Sequence, residues 1–161
     1  MAVDMFIKFT PTVKGESSDS KHKDEIDVLS WSWGASQSGT THMGGGGGSG
    51  KVNVQDLSFT KWCDAASAPL MLAVCNGAHH DEVVLTCRKA GKTQQEFLKI
   101  TMKEVIVTSV SHGGSQGEDR LTENVSLNFA EFKVEYSPQK PDGSLGAAIT
   151  AAYNMAENKE G

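Results

Sequence analysis

The chain has 161 residues, of which 38% are hydrophobic and 22% charged, with 17 Gly and only 4 Pro. That size and mixture describe one compact domain with a core of its own, spanning residues 1–161, and exclude disordered and collagen-like classes. Fifteen Lys and Arg stand against 20 Asp and Glu, for a formal net charge of −5, so neither nucleic acid nor an anionic membrane is the expected partner.

No apolar run approaches the roughly 18 residues that cross a bilayer, and membrane insertion is not expected. The start, Met1 to Lys8, has no basic segment followed by an apolar one, so no signal peptide is expected. The expected place of synthesis is the cytoplasm. The three cysteines, Cys63, Cys75 and Cys87, form no C-x-x-C pair and read as buried free thiols in a reduced compartment.

Most of the chain alternates with period two. Val3, Met5, Ile7 and Phe9 share one face of a first strand, and a polar loop, Lys14 to Asp24, follows. A second strand is predicted from Glu25 to Gln37, with Leu29, Trp31 and Trp33 turned inward and Ser30 and Ser32 outward. Ser38 to Gly50 is a glycine-rich loop that includes the run Gly44 to Gly48, and Val52 to Lys61 reads as a third strand.

One helix is predicted, with Ser67 as its cap, Pro69 in the first turn and Leu70 to Asn76 ending at Gly77. Further strands are predicted at Glu82–Lys89, Glu96–Ser111 and Thr122–Ser137. The last two change phase. Leu98, Ile100 and Met102 are followed by Val105 and Val107, and Val125, Leu127 and Phe129 by Phe132, Val134 and Tyr136. A strand that swaps its buried face midway is bulged or changes sheets. The predicted fold is mainly β: a small antiparallel β-barrel of two packed sheets with one short lateral helix. Leu70 to Cys75 is apolar on every side. An external helix needs only one apolar stripe, so a neighbouring subunit is the expected cover, with Leu70, Met71, Leu72 and Val74 at the interface.

No catalytic constellation is convincing, and no catalytic, cofactor or metal site is assigned. Gly45 to Lys51 matches G-x-x-x-x-G-K, but Val52 replaces the magnesium-binding hydroxyl and a strand follows instead of a helix. Gly113-Gly114-Ser115-Gln116-Gly117 matches G-x-S-x-G in a turn that also leads to a strand. His79 and His80 are adjacent and point apart on any regular element, while His22, His42 and His112 read as exposed loop residues.

Several segments together resemble the haemolysin-coregulated protein (Hcp) family, the tube subunit of bacterial type VI secretion systems. They are Val13–Ser17, Ile26–Gly34, Gly50–Lys61, Glu104–Ser111 and Glu118–Val125 with Leu127, Asn128 and Phe129. The resemblance runs through about residue 140, with residues 145–161 matching loosely. It implies hexameric rings that stack into a tube, which a contractile sheath propels, with spike-tip proteins and small lumenal effectors as further partners. It also implies release through that apparatus.

On this reading Ser30 and Ser32 face the lumen and contact cargo. Ser38, Gly39, Gly44, Gly45, Gly46, Gly47, Gly48, Gly50 and Lys51 belong to a ring-stacking loop. The alternative reading is a barrel that binds a small ligand in its own cavity on Trp31, Trp33 or Trp62.

Overall fold

A computed structural model describes residues 2–39 and 49–161. Eleven strands and one helix occur in the order β1 (Val3–Thr10), β2 (Ile26–Ser32), β3 (Ala35–Gly39), β4 (Ser49–Val54), β5 (Leu57–Trp62), α1 (Ser67–Asn76), β6 (His79–Lys89), β7 (Gln95–His112), β8 (Thr122–Asn128), β9 (Glu131–Tyr136), β10 (Ile149–Asn154) and β11 (Lys159–Glu160). All pairings are antiparallel. Strands β6-β1-β2-β5-β8 lie side by side, and β7 bonds both β6 and β8, which closes a six-stranded barrel. Strands β9-β10-β11 extend from β7 as a flange, and β3-β4 form a separate two-stranded sheet.

The two phase breaks are where the closure happens. In β7 the buried residues are Ile100 and Met102, then Val105 and Val107, and between them Glu104 adopts φ +53°. The first half of β7 pairs with β9 and the second with β8. The predicted strand from Thr122 to Ser137 is accordingly two strands, β8 and β9. At their junction the Ala130 N–H donates to the Lys103 carbonyl (3.0 Å). A bulge turns the strand so that one sequence serves two neighbours.

Three predicted segments need correction. The second strand breaks at Trp33-Gly34 and the third at Gln55-Asp56, so that Ala35–Gly39 and Ser49–Val54 form a separate two-stranded hairpin. Ser38, Gly39, Gly50 and Lys51 therefore stand on strands, whereas Gly44 to Gly48 and His42 lie outside the described residues. Leu29 is not inward. A register shift between Val28 and Ser30 inserts an extra residue opposite β5, and Leu29 is exposed.

The helix spans Ser67–Asn76 and ends at Gly77, whose φ of +64° needs a residue without Cβ. Ser67 is its first residue rather than its cap. Ala66 is the N-cap and no side chain caps the helix; in the turn before it Asp64 Oδ1 accepts from the Ala66 N–H (2.9 Å), while the Asp64 N–H donates to Ser67 Oγ (2.9 Å). Leu70 is fully buried against the barrel and has no surface to offer a neighbour. Val74 is half-buried against the core, leaving Met71 and Leu72 as the exposed apolar face.

The barrel axis is filled. Ile7, Phe9, Leu57, Phe59, Leu85, Ile100, Met102 and Leu127 are all buried in one cluster, as expected for a barrel this narrow. Among the described residues Trp31 and Trp33 pack against this cluster, and Trp62 lies outside under Arg120. This packing argues against a ligand held on those rings inside the barrel.

Candidate functional site

The outward face of β2-β5-β8-β7 is built by the same alternation that fills the core. Ser58 and Thr60 alternate with buried Leu57, Phe59 and Lys61, and Asn124 and Ser126 alternate with buried Glu123, Val125 and Leu127. The register sets Ser32 beside Ser58 and Ser30 beside Thr60, then Ser58 beside Ser126 and Thr60 beside Asn124. Beyond them stand Ser109 and Ser111 of β7.

The result is a continuous wall of hydroxyls and one amide across four strands, about 14 Å wide at roughly 4.8 Å per strand. Ser58 Oγ and Ser126 Oγ are 2.9 Å apart, and Thr60 Oγ1 donates to Asn124 Oδ1 (2.7 Å). Ser30 and Ser32 are both exposed on it. Six of these eight residues were not singled out from the sequence, although the alternation of Ser58 and Thr60 carries the signal.

Among the described residues the wall is uncharged at these positions, and the bulge adds one apolar side chain, Leu29, next to Ser30. At the rim, Asp56 accepts from Thr108 Oγ1 (2.7 Å) and Asn128 Nδ2 (2.9 Å). This ties the base of the β3–β4 hairpin to β7 and β8. The hairpin thus continues the two strands that carry the serines, through Trp33-Gly34 on one side and Gln55-Asp56 on the other, with the Gln55 N–H donating to the Gly34 carbonyl (2.9 Å).

Charged side chains lock the frame. Arg88 is buried and pairs with Asp19 and Asp4 while lying over the Phe6 ring. The Arg88 guanidinium holds the Asp19 carboxyl well below the usual carboxylate range. His22 is buried, not exposed as its loop position suggested. It stacks on Phe6, with Glu25 and Glu96 each 2.7 Å from a ring nitrogen. His80 points inward and His79 outward, and burial pushes the His80 imidazole down.

Cys63 and Cys75 are exposed, against expectation, and Cys87 is buried, where desolvation pushes its thiol up. Ser115 sits at an exposed turn that leads into β8, without the helix a nucleophile elbow requires.

Known proteins with this architecture narrow the reading. The family profile described as "Type VI secretion system effector, Hcp" matches residues 6–136. The chain is 61% identical over 160 residues, 98% of each chain, to "Protein hcp1" of Pseudomonas aeruginosa. Among solved structures it is similar to one titled "Structure of a type six secretion system protein" (TM-score 0.93, 32% identity, 99% and 100% of the two chains). It is also similar to Hcp1 from Salmonella typhimurium (TM-score 0.81, 37% identity, 99% of each chain). With the closed barrel, the flange and these matches together, the chain belongs to the Hcp family of type VI secretion system effectors.

Proposed function

We propose that this protein is a non-enzymatic brick of the type VI tube: six copies close into a ring, rings stack, and the serine-rich wall lines the lumen and holds small effectors. The observation that carries the reading is the wall itself. A barrel whose interior is full has no use for an inner cavity, yet it presents an uncharged, hydroxyl-lined face across four strands. Such a face stays wetted and does not stick to passing protein, while single hydrogen bonds to cargo remain available.

Two kinds of contact are needed, one closing the ring and one running along the axis. An obligate ring contact buries on the order of 2,000 Å² or more, and Met71 and Leu72 of α1 supply part of it. Stacking falls to the β3–β4 hairpin. An isolated two-stranded ribbon is marginal in water, and fixing each backbone residue costs about 1–2 kcal/mol, with glycine at the upper end. Rings hold firmly on this account, and stacks form weakly unless the contractile apparatus templates them. Synthesis in the cytoplasm, export through the apparatus, and contacts with sheath and spike-tip proteins complete the reading.

The test is Ser32→Tyr. The substitution fills the lumen face without touching the core, so effectors co-produced with the variant lose their protection from degradation while the ring keeps its mass. Loss of the ring instead contradicts the lumenal placement.

A further inference from the structure

Seven of the eight residues on the hydroxyl-lined face are serine or threonine, and the eighth is Asn124 of β8. A hydroxyl turns about its C–O bond and either donates or accepts, so it takes what a partner offers. A carboxamide has fixed ends: its carbonyl only accepts and its NH2 only donates. Of the eight, Asn124 alone therefore has a hydrogen-bonding polarity that is set before any partner arrives.

Its surroundings settle which end is free. Asn124 stands directly opposite Thr60 on β5 and Ser111 on β7. Thr60 Oγ1 donates to Asn124 Oδ1 (2.7 Å), which engages the carbonyl end. Among the described residues nothing accepts from Nδ2, and the side chain is exposed. By contrast, Ser58 and Ser126 lie 2.9 Å apart with either oxygen able to donate, so that pair sets no direction.

The backbone beneath Asn124 is held firmly. Strand β8 is bonded on both sides, by β5 and by β7. The neighbours of Asn124 along the strand, Glu123 and Val125, are at most 1% exposed. A donor on so fixed a base loses little freedom when it binds.

Resting on the ring reading above, we propose that Asn124 is the directional cargo contact of the lumen wall. Its NH2 donates to oxygen acceptors, backbone carbonyls or carboxylates, on the surface of a small effector, and Thr60 is the residue that positions it. Six-fold symmetry sets the donors of all copies at one height in the ring. An effector that turns several acceptor oxygens outward at that level is gripped at several points at once. The surrounding hydroxyls adapt to either polarity and so do not select. One neutral hydrogen bond contributes little net, which keeps the grip reversible.

Asn124→Asp tests the polarity, because it keeps the shape and puts an acceptor where the donor was. The probe is a small effector co-produced with the ring, and the readout is the amount that co-elutes with the ring and survives proteolysis. Asn124→Asp is expected to lower that amount about fivefold or more, the scale of one net hydrogen bond, with ring mass unchanged. Raising the salt relieves part of the loss if the effector offers carboxylates, whose repulsion is screened, and none of it if it offers carbonyls. Thr60→Val is expected to weaken retention in the same direction, whereas Thr60→Ser keeps the hydroxyl and the retention.

Asn124→Ser repeats the test if the Asp variant does not fold. Asn124→Asp rings that hold the effector as wild type does overturn the donor assignment, and Thr60→Ser rings that lose it as fully as Thr60→Val overturn the positioning role. Loss of the ring in both Asn124 variants makes the residue structural and overturns the proposal. A wild-type chain of 17.2 kDa in the same run, or a wild-type ring that protects no effector, overturns the ring reading and the contact with it. Protection by wild type that Ser32→Tyr abolishes and Asn124→Asp spares leaves the lumen reading standing and removes Asn124 alone.

Discussion

Lys61 and Glu123 face each other directly across the β5–β8 pair, and both charged side chains are buried. The Lys61 ammonium also donates to the Trp62 carbonyl (2.8 Å) and lies 2.8 Å from Asp64 Oδ1. Ser67 Oγ donates to Glu123 Oε1 (2.6 Å). One polar cluster thus joins two barrel strands to the first turn of α1. Removing one partner leaves a buried charge uncompensated, at a cost of about 3–5 kcal/mol. Lys61→Met is expected to lose that much in urea unfolding, and Lys61→Met/Glu123→Leu to recover part of it, because Asp64 still lacks its partner. A single variant within 1 kcal/mol of wild type, on the scale of an exposed ion pair, rules out the locking role.

Glu104 sits at φ +53° where β7 turns from β9 to β8. A residue with a Cβ is strained there, so Glu104→Gly is expected to gain about 0.5–1 kcal/mol and Glu104→Val to lose about 1–2 kcal/mol. Thermal unfolding reads both. The opposite order means that the bulge is held by the Glu104 side chain rather than tolerated by the backbone.

Gly15 passes so close to β2 that an added Cβ falls 2.4 Å from the Glu25 carbonyl oxygen. Its N–H donates to the Asp24 carbonyl (2.7 Å), so the loop cannot retreat without breaking that bond. Gly15→Ala is expected to cost about 1–3 kcal/mol and to expose the segment 14–24 to limited proteolysis. Unchanged cleavage there argues that Arg88 and His22 alone hold the loop.

Burial lowers the pKa of His80 below its ordinary value, and its Nδ1 has no hydrogen-bond partner among the described residues. The unfolded chain therefore binds a proton more readily, and His80 subtracts stability as pH falls from about 6.5 toward the folded value. His80→Phe removes that contribution. The stability of the variant relative to wild type should rise as pH drops from 7 to 5, measured by urea midpoints. A difference that stays flat with pH contradicts it.

Period-two alternation carried the barrel strands, and the phase breaks at Met102/Val105 and Phe129/Phe132 marked where the chain turns between neighbours. Gly77 marked the helix end because only the backbone conformation there matters. What escaped the sequence depends on partners distant along the chain. His22 is buried by Glu96, 74 positions away, and Lys61 by Glu123, 62 positions away, while a lone charge in a strand reads as solvent-facing. Leu29 departs from the alternation because the bulge between Val28 and Ser30 makes it the extra residue, while Ser30, Trp31 and Ser32 keep their faces. The β3–β4 hairpin was missed because Ala35–Gly39 is exposed throughout and has no apolar period. Of the hydroxyl-lined face, Ser30 and Ser32 are legible from their alternation with Trp31 and Trp33, whereas their neighbours on β5, β8 and β7 require the register.

The most direct measurement is the solution mass of the purified protein by size-exclusion chromatography with light scattering across a dilution series. The account predicts a species six times 17.2 kDa that survives dilution, while larger stacks dissociate. A particle of 17.2 kDa at every concentration, or rings that fall apart as readily as their stacks, contradicts it.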